Sequence, residues 1–378
     1  MNIPITKPLL GLEEERAVSQ VIQSGWLVQG PKVAEFERTV ADYIGVQHAV
    51  AVSSCTTALH LALILCEIGP GDEVIVPSFT FIATANAVRH TGATPVLVDI
   101  DPCTYNLHPE GIEAAITPRT KAVMPVHQIG LAADIDRINV VARQYDLVVI
   151  EDAAPAIGAM YKGKKVGALG NPTCFSFHPR KVITSGEGGM FLTNDENLAE
   201  RARLLRAHGM SLSDLARHQA KSVVIEEYHD VGYNYRMSDL HAAVGIEQMK
   251  KLDFMLTRRQ EIAAHYSEAL QRFEFIRLPF SSLETPHTYQ SYMIELLPHS
   301  PKKREQVMQE LLDVGIASRR GVMAIHLEKA YSSEYSTPSR LPVTENATRN
   351  TILLPIYATM TETEQAYVIE HLCRVLCR

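Results

Sequence analysis

The sequence predicts an α/β chain built on a mainly parallel sheet, followed by a smaller α+β domain. Three observations carry that expectation. Short apolar, β-branched strands recur at Glu73–Pro77, Thr94–Ile100, Lys121–Val126 and Leu147–Glu151, and the stretches between them are long enough for helices. Strands alternating with helical stretches make βαβ units, and βαβ units make a parallel sheet. Past Met190 the pattern becomes helical and runs through Lys250–Tyr266 into a region of different character. The boundary is expected near residue 255, giving a large domain over 1–255, with an N-terminal arm, and a small C-terminal domain over 256–378.

In chain order, residues 11–23 have helical periodicity, and Gly25, Gly30 and Pro31 punctuate the turn after it, around the single tryptophan, Trp26. His48–Ser53 is a short apolar strand. Thr56–Ile68 has the length and apolar density of a buried helix that stops at Gly69-Pro70-Gly71. Cys174–Phe177 is a buried strand end that gives way to a turn containing Gly186, Gly188 and Gly189. In the last third, Tyr289–Leu296 is a strand, Ser300-Pro301 starts a helix, and Thr361 with Glu364 forms a capping box for a final helix.

Composition narrows the function classes. With 46% hydrophobic and 21% charged residues in 378, the chain can bury one large core and one smaller one. A net charge of −7 supplies no basic field, so small molecules are expected as partners rather than nucleic acid. The six cysteines lack zinc-site spacing and read as reduced and mostly buried; no metal is expected. No signal peptide or membrane-length apolar run is legible, so the expected location is cytoplasmic.

The chemistry is read from strand ends. In parallel sheets, ligands sit beyond the carboxyl ends of the strands, where Thr56, Phe81, Asp152 and Ser176 all fall. Lys181 follows an apolar strand and precedes a glycine-rich turn, so it can be aimed inward. Desolvation would leave it the free amine a Schiff base needs, although a lone lysine before such a turn is commonly a solvated one. Asp152 ends Val148-Val149-Ile150-Glu151; it either caps the following segment or holds a cation. Thr56 and Thr57 open a helix whose free N–H groups suit a phosphate, unless the threonines simply cap it. Phe81 either stacks on a flat ring or packs in the core. Together, a lysine, a strand-end carboxylate, a phosphate site and a stacking aromatic describe pyridoxal phosphate, whose ring accepts charge while a carboxylate keeps its nitrogen protonated.

These segments also carry a resemblance. SGWLVQGPKVAEFE, PSFTFIATANAV, GATPVLVDID, IEDAA, SFHPRK with GEGG, and GYNYRMSDLHAAVG are similar to the usual segments of the DegT–StrS family of sugar aminotransferases, pyridoxal-phosphate enzymes of fold type I. The likeness covers nearly the whole chain. It implies that Lys181 forms the internal aldimine, that Asp152 partners the pyridine nitrogen, that Phe81 stacks on the cofactor, and that Thr56, Thr57 and Ser176 hold its phosphate. It further implies that Asn234 reaches the phosphate in the neighbouring subunit of a homodimer with shared sites, and that His178 and His326 lie beside the reacting sugar. A lone histidine is more often structural. The implied reaction moves an amino group, with glutamate as expected donor, to a nucleotide-linked keto sugar. A keto-cyclitol acceptor and a non-catalytic cofactor-binding role are the alternatives. Relatives that act as dehydratases carry histidine in place of the lysine, so Lys181 speaks for transamination.

The chain departs from the family pattern at three places. Pro155 stands where many relatives have His or Gln, Gln128-Ile129-Gly130 where they have a Tyr before the glycine, and Ser318-Arg319-Arg320-Gly321 where a proline-rich version is more frequent.

Overall fold

The computed structural model describes residues 1–212, 217, 218, 220, 222, 223, 225–333 and 341–377. Its large sheet forms from two groups of strands. β2 (Glu73–Pro77) pairs in parallel with β3 (Thr94–Val98) and with β4 (Thr120–Val123), and β4 pairs in parallel with β5 (Val148–Val149). β6 (Glu151–Asp152) runs parallel to β9 (Thr173–Ser176), which pairs antiparallel with β10 (Gly189–Thr193), itself antiparallel to β1 (His48–Val52). β5 and β6 continue one another across Ile150, and Val126 bridges in parallel to Asp152, so the order is β3-β2-β4-β5/β6-β9-β10-β1. Only β10 runs against the rest. A separate hairpin joins β7 (Met160–Tyr161) to β8 (Lys164–Lys165).

Side chains alternate across the sheet, so each strand feeds two cores. Ala49, Ala51, Phe175 and Leu192 face one, with α2 (Pro31–Ile44), α6 (Ile135–Gln144) and the first half of the long helix. Val50, Val52, Cys174 and Phe191 face the other, with α3 (Cys55–Leu65), α4 (Ala83–His90) and α7 (Glu196–Leu205). Burying each such Val, Leu or Phe contributes roughly 1.5–3 kcal/mol, which is why both faces are apolar. The remaining helices of this region are α1 (Leu12–Ser24) and α5 (Pro109–Ala115).

The long helix, α8 (Asp239–Leu270), starts eleven residues before the expected Lys250 because Ser238 caps it, accepting from His241 N–H. Its interior Gly245 has a packing reason: a Cβ there would lie 2.6 Å from the Phe36 ring of α2. Met255 belongs to the first core and Ile262 to a third, formed by the C-terminal region. That third core surrounds a sheet of order β11 (Ile276–Arg277), β12 (Tyr292–Leu296), β14 (Thr351–Leu354), β13 (Arg319–Arg320), all antiparallel. Around it lie α9 (Arg304–Asp313), α10 (Pro342–Asn350) and α11 (Glu362–Leu376), the last with the expected box between Thr361 and Glu364.

Ile3, at the start of the N-terminal arm, bridges to Ile316 and packs in the third core, so the arm reaches the C-terminal region. Two expectations are corrected here. β12 begins at Tyr292 instead of Tyr289, because Tyr289 has φ 50° and leaves the extended region. The helix after Ser300-Pro301 starts at Arg304, where Gln306 Oε1 accepts from Lys303 N–H at 2.9 Å. The six cysteines are unpaired, three of them buried.

Candidate active site

The strand ends of the large sheet, the N-terminus of α3 and the small-domain strand β13 enclose a cavity of about 640 Å³. Thr56, Phe81, Asp152, Ser176, His178 and Lys181 all line it. Sequence distance hides this meeting: the six residues come from four separate segments, joined by the parallel strand order.

Lys181 is set by the loop between β9 and β10. Val182 and Ile183 are buried anchors just after it. Thr184 ties the loop together, its hydroxyl donating to Phe177 O at 2.8 Å and accepting from Gly186 N–H at 2.9 Å. Gln248 of α8 accepts from Thr184 N–H at 3.3 Å while its amide donates to Leu9 O and Glu14 Oε1, both at 2.7 Å. Burial lowers the proton affinity of Lys181, helped by Arg180 and opposed by Cys55 and Asp152. The Nζ of Lys181 therefore has a larger neutral fraction than an exposed lysine, which suits attack on a carbonyl and proton transfer. The neighbouring Cys55 thiol is pushed well up by burial and then by Asp152, so it stays protonated.

Asp152 is 4% exposed. Its Oδ2 accepts from the Thr84 hydroxyl at 2.8 Å, and its Oδ1 accepts from Ala154 N–H at 3.1 Å. Burial raises its proton affinity despite those bonds and despite Lys181 and His127 nearby. A buried carboxylate of this kind, lining a cavity, is stabilised by a cation, and a pyridinium N–H is one. Behind it, His127 Nδ1 accepts from Ala133 N–H at 3.0 Å, so its Nε2 carries the proton donated to Glu151 at 2.8 Å.

The phosphate end fits as well. In α3, Ser54 Oγ accepts from Thr57 N–H, and the Thr57 hydroxyl donates back to Ser54 O at 2.8 Å. The Thr57 hydroxyl serves the cap, and Thr57 is not among the residues that line the cavity. Cys55 and Thr56 N–H are first-turn donors that the helix itself leaves free, and Thr56 and Ser176 face the cavity. Gly189 lies against this helix start so closely that a Cβ would sit 2.3 Å from Ser54 O. Phe81 is 63% exposed at the cavity edge, an aromatic without a cover of its own chain.

His178 accepts at Nδ1 from Arg180 N–H at 3.2 Å, leaving Nε2–H as the donor. Burial lowers its proton affinity, with Arg180 and Lys181 adding to the effect and Glu187 opposing it, which favours the neutral ring. His326 lies elsewhere: it is 8% exposed, its Nδ1 is 2.7 Å from Ser78 Oγ, and it is not part of the cavity wall. Asn234 is exposed, outside this cavity, in a bridge to Ala207. Ile129, in one of the divergent segments, lines the cavity at φ 48°, a conformation β-branched residues rarely adopt and one that clusters at functional sites. Thr84 escaped the sequence reading; it lies three residues beyond Phe81, in the first turn of α4.

A partly buried lysine, a buried carboxylate with no ion pair among the described residues and an open helix start in one cavity define a pyridoxal-phosphate enzyme of fold type I. When bound, the cofactor supplies an electron sink for charge left at the substrate carbon. The chain belongs to the DegT/DnrJ/EryC1/StrS aminotransferase family, whose profile it matches over residues 8–373. It is 41% identical over 374 residues to the spore coat polysaccharide biosynthesis protein SpsC of Bacillus subtilis (strain 168), covering 97% of this chain and 95% of that one. The structure of S. venezuelae DesV in complex with a ketimine intermediate superposes with a TM-score of 0.91 at 34% identity, covering 100% of this chain and 99% of that one. The PLP form of the putative sugar aminotransferase Spr1654 from Streptococcus pneumoniae gives 0.92 at 30% identity, covering 99% and 98%. The protein is thus a pyridoxal-phosphate-dependent sugar aminotransferase.

Proposed function

We propose that the chain transfers an amino group from L-glutamate to a nucleotide-linked keto sugar, with Lys181 as the catalytic residue. The observation that carries this is the placement of Lys181 Nζ and the Asp152 carboxylate in one cavity of about 640 Å³, which leaves room for a sugar beyond the cofactor. In this reading Asp152 holds the pyridine nitrogen protonated, and Thr56 and Ser176 hold the phosphate while Thr57 braces the helix start. Phe81 covers the ring, Lys181 Nζ moves the proton, and His178 Nε2–H orients the sugar; His326 positions Ser78 from behind. Adding L-glutamate to the holoenzyme should bleach its visible cofactor band. A nucleotide-linked keto hexose should then restore the band, and free keto sugars or keto-cyclitols should not. Equal restoration by a free sugar or a cyclitol would overturn the nucleotide-linked reading.

The same reading makes the enzyme a homodimer with shared sites, each Asn234 reaching the partner's phosphate. The exposed apolar side chains Leu27, Val28 and Tyr228 suit burial against a second copy. Mixing Lys181→Ala and Asn234→Ala subunits puts both changes in one site of the mixed dimer and neither in the other. Activity should rise above both parents, towards half of wild type per mixed dimer; exchange without any gain rejects shared sites. The unpaired cysteines fit a reducing cytoplasm, and no helix among the described residues is long and apolar enough to cross a membrane.

The division into 1–255 and 256–378 is retained as a proposal. The change of core between Met255 and Ile262 supports it.

A further inference from the structure

The mouth of the cavity carries charges that amino transfer does not use. Arg180, Lys181, Arg319 and Arg320 line the cavity against two acidic side chains, Asp152 and Glu187. The cofactor phosphate is accounted for at the other end, by the start of α3 and Ser176. Arg319 and Arg320 are neighbours in β13. Arg320 pairs with Glu328 at 3.1 Å, while Arg319 shares the cavity mouth with Arg180, whose like charge acts on it. Burial first, then Arg180 and Arg320, lower the proton affinity of Arg319. Among the described residues no carboxylate forms an ion pair with the Arg180 or Arg319 guanidinium. Both are exposed. One comes from the large-domain loop beside Lys181 and the other from the small domain, so the like charges converge only at the cavity mouth.

We propose that Arg180 and Arg319 form a clamp for the diphosphate that joins the acceptor sugar to its nucleotide. This rests on the reading of the acceptor as a nucleotide-linked sugar. Each guanidinium presents a planar fork that grips two oxygens, so two forks from opposite walls match two adjacent phosphoryl groups. The donor's α-carboxylate is a poorer match, because it must lie beside the reacting carbon at Lys181 and occupies one fork. The clamp gives a role to the divergent Ser318–Gly321 segment: it selects acceptors by the anion they carry rather than by the sugar alone.

The test uses holoenzyme in its pyridoxamine form, with uridine diphosphate, thymidine diphosphate and the two parent nucleosides as calorimetric probes. Wild type should bind at least one diphosphate more tightly than its nucleoside. Arg180→Gln and Arg319→Gln should each weaken that binding about tenfold or more, the scale of a lost charge-assisted pair of bonds. Nucleoside affinity should move less than twofold, and Arg319→Lys should recover part of the loss. Arg320→Gln, whose partner is Glu328, should have little effect. If wild type is bleached by glutamate but binds neither diphosphate better than its nucleoside, the nucleotide-linked reading falls, and the clamp with it. If the diphosphate binds and the Gln variants bind it equally well, the clamp alone is wrong. If Arg319→Gln slows the glutamate-driven bleaching by as much as it weakens diphosphate binding, the pair serves the donor's carboxylates and the proposal is overturned.

Discussion

Asp152 is held by donors that differ in how visible they are in the sequence. Ala154 N–H is two residues away, but the Thr84 hydroxyl comes from 68 residues upstream. Thr84 in turn lies 2.9 Å from Thr80 Oγ1, so the carboxylate ends a short chain of hydroxyls in α4 and its approach. Asp152→Asn keeps the shape and removes the charge. The expected loss is in kcat, by roughly 10²-fold or more, the scale of removing a group that stabilises developing charge. A change confined to KM would mean that Asp152 only positions its neighbours. A second residue-scale outcome concerns His287, which is 2% exposed and accepts at Nδ1 from Tyr289 N–H at 2.8 Å. Burial pushes its proton affinity down, to a pKa of about 3. Between about pH 6.5 and that value the unfolded chain binds one more proton than the folded one, so this histidine makes stability fall on acidification, by about 1.4 kcal/mol per pH unit. Urea unfolding of wild type and His287→Gln from pH 7 to 5 should show a shallower loss in the variant; parallel curves would contradict it.

At the scale of elements, the parallel strands were legible because each is a compact apolar run bounded by turn residues. The reversal of β10 was not, since Gly189–Thr193 reads as apolar in either direction and only its pairing with β1 and β9 decides. The early start of α8 was hidden for a different reason. Ser238 and Asp239 lie inside the GYNYRMSDLHAAVG segment, where no break in apolar spacing marks the helix start. Asp239 does more than open α8: its carboxylate accepts from Gly30 N–H at 2.8 Å and from Lys32 and Val33 N–H, both at 3.0 Å, so it caps α2 from 209 residues away. Asp239→Ala strands three donors at the start of α2. We expect a loss of about 2–3 kcal/mol in urea unfolding, with Asp239→Asn losing less because one acceptor oxygen remains. An Ala variant as stable as wild type would show that water replaces the carboxylate at no cost.

For the whole molecule, the cavity was readable as a convergence of strand ends, and Thr56, Phe81, Asp152, Ser176, His178 and Lys181 all line one cavity. Each stands in a segment with a local signature. Contributions that depend on long-range packing were not readable: Gln248 reaches the lysine loop from 64 residues away, and Arg319 of β13 lines the same cavity as Arg180. His326 and Thr57 are outside the cavity lining, and their side chains bond to Ser78 and Ser54. The central claim is that Lys181 performs the chemistry rather than supporting the fold. Its most direct test is the turnover of Lys181→Ala with glutamate and an acceptor that wild type aminates, alongside thermal unfolding and pyridoxamine-phosphate binding. The account predicts an intact fold, retained binding of pyridoxamine phosphate, loss of the visible cofactor band and no measurable turnover. Near-wild-type turnover in that variant would contradict it.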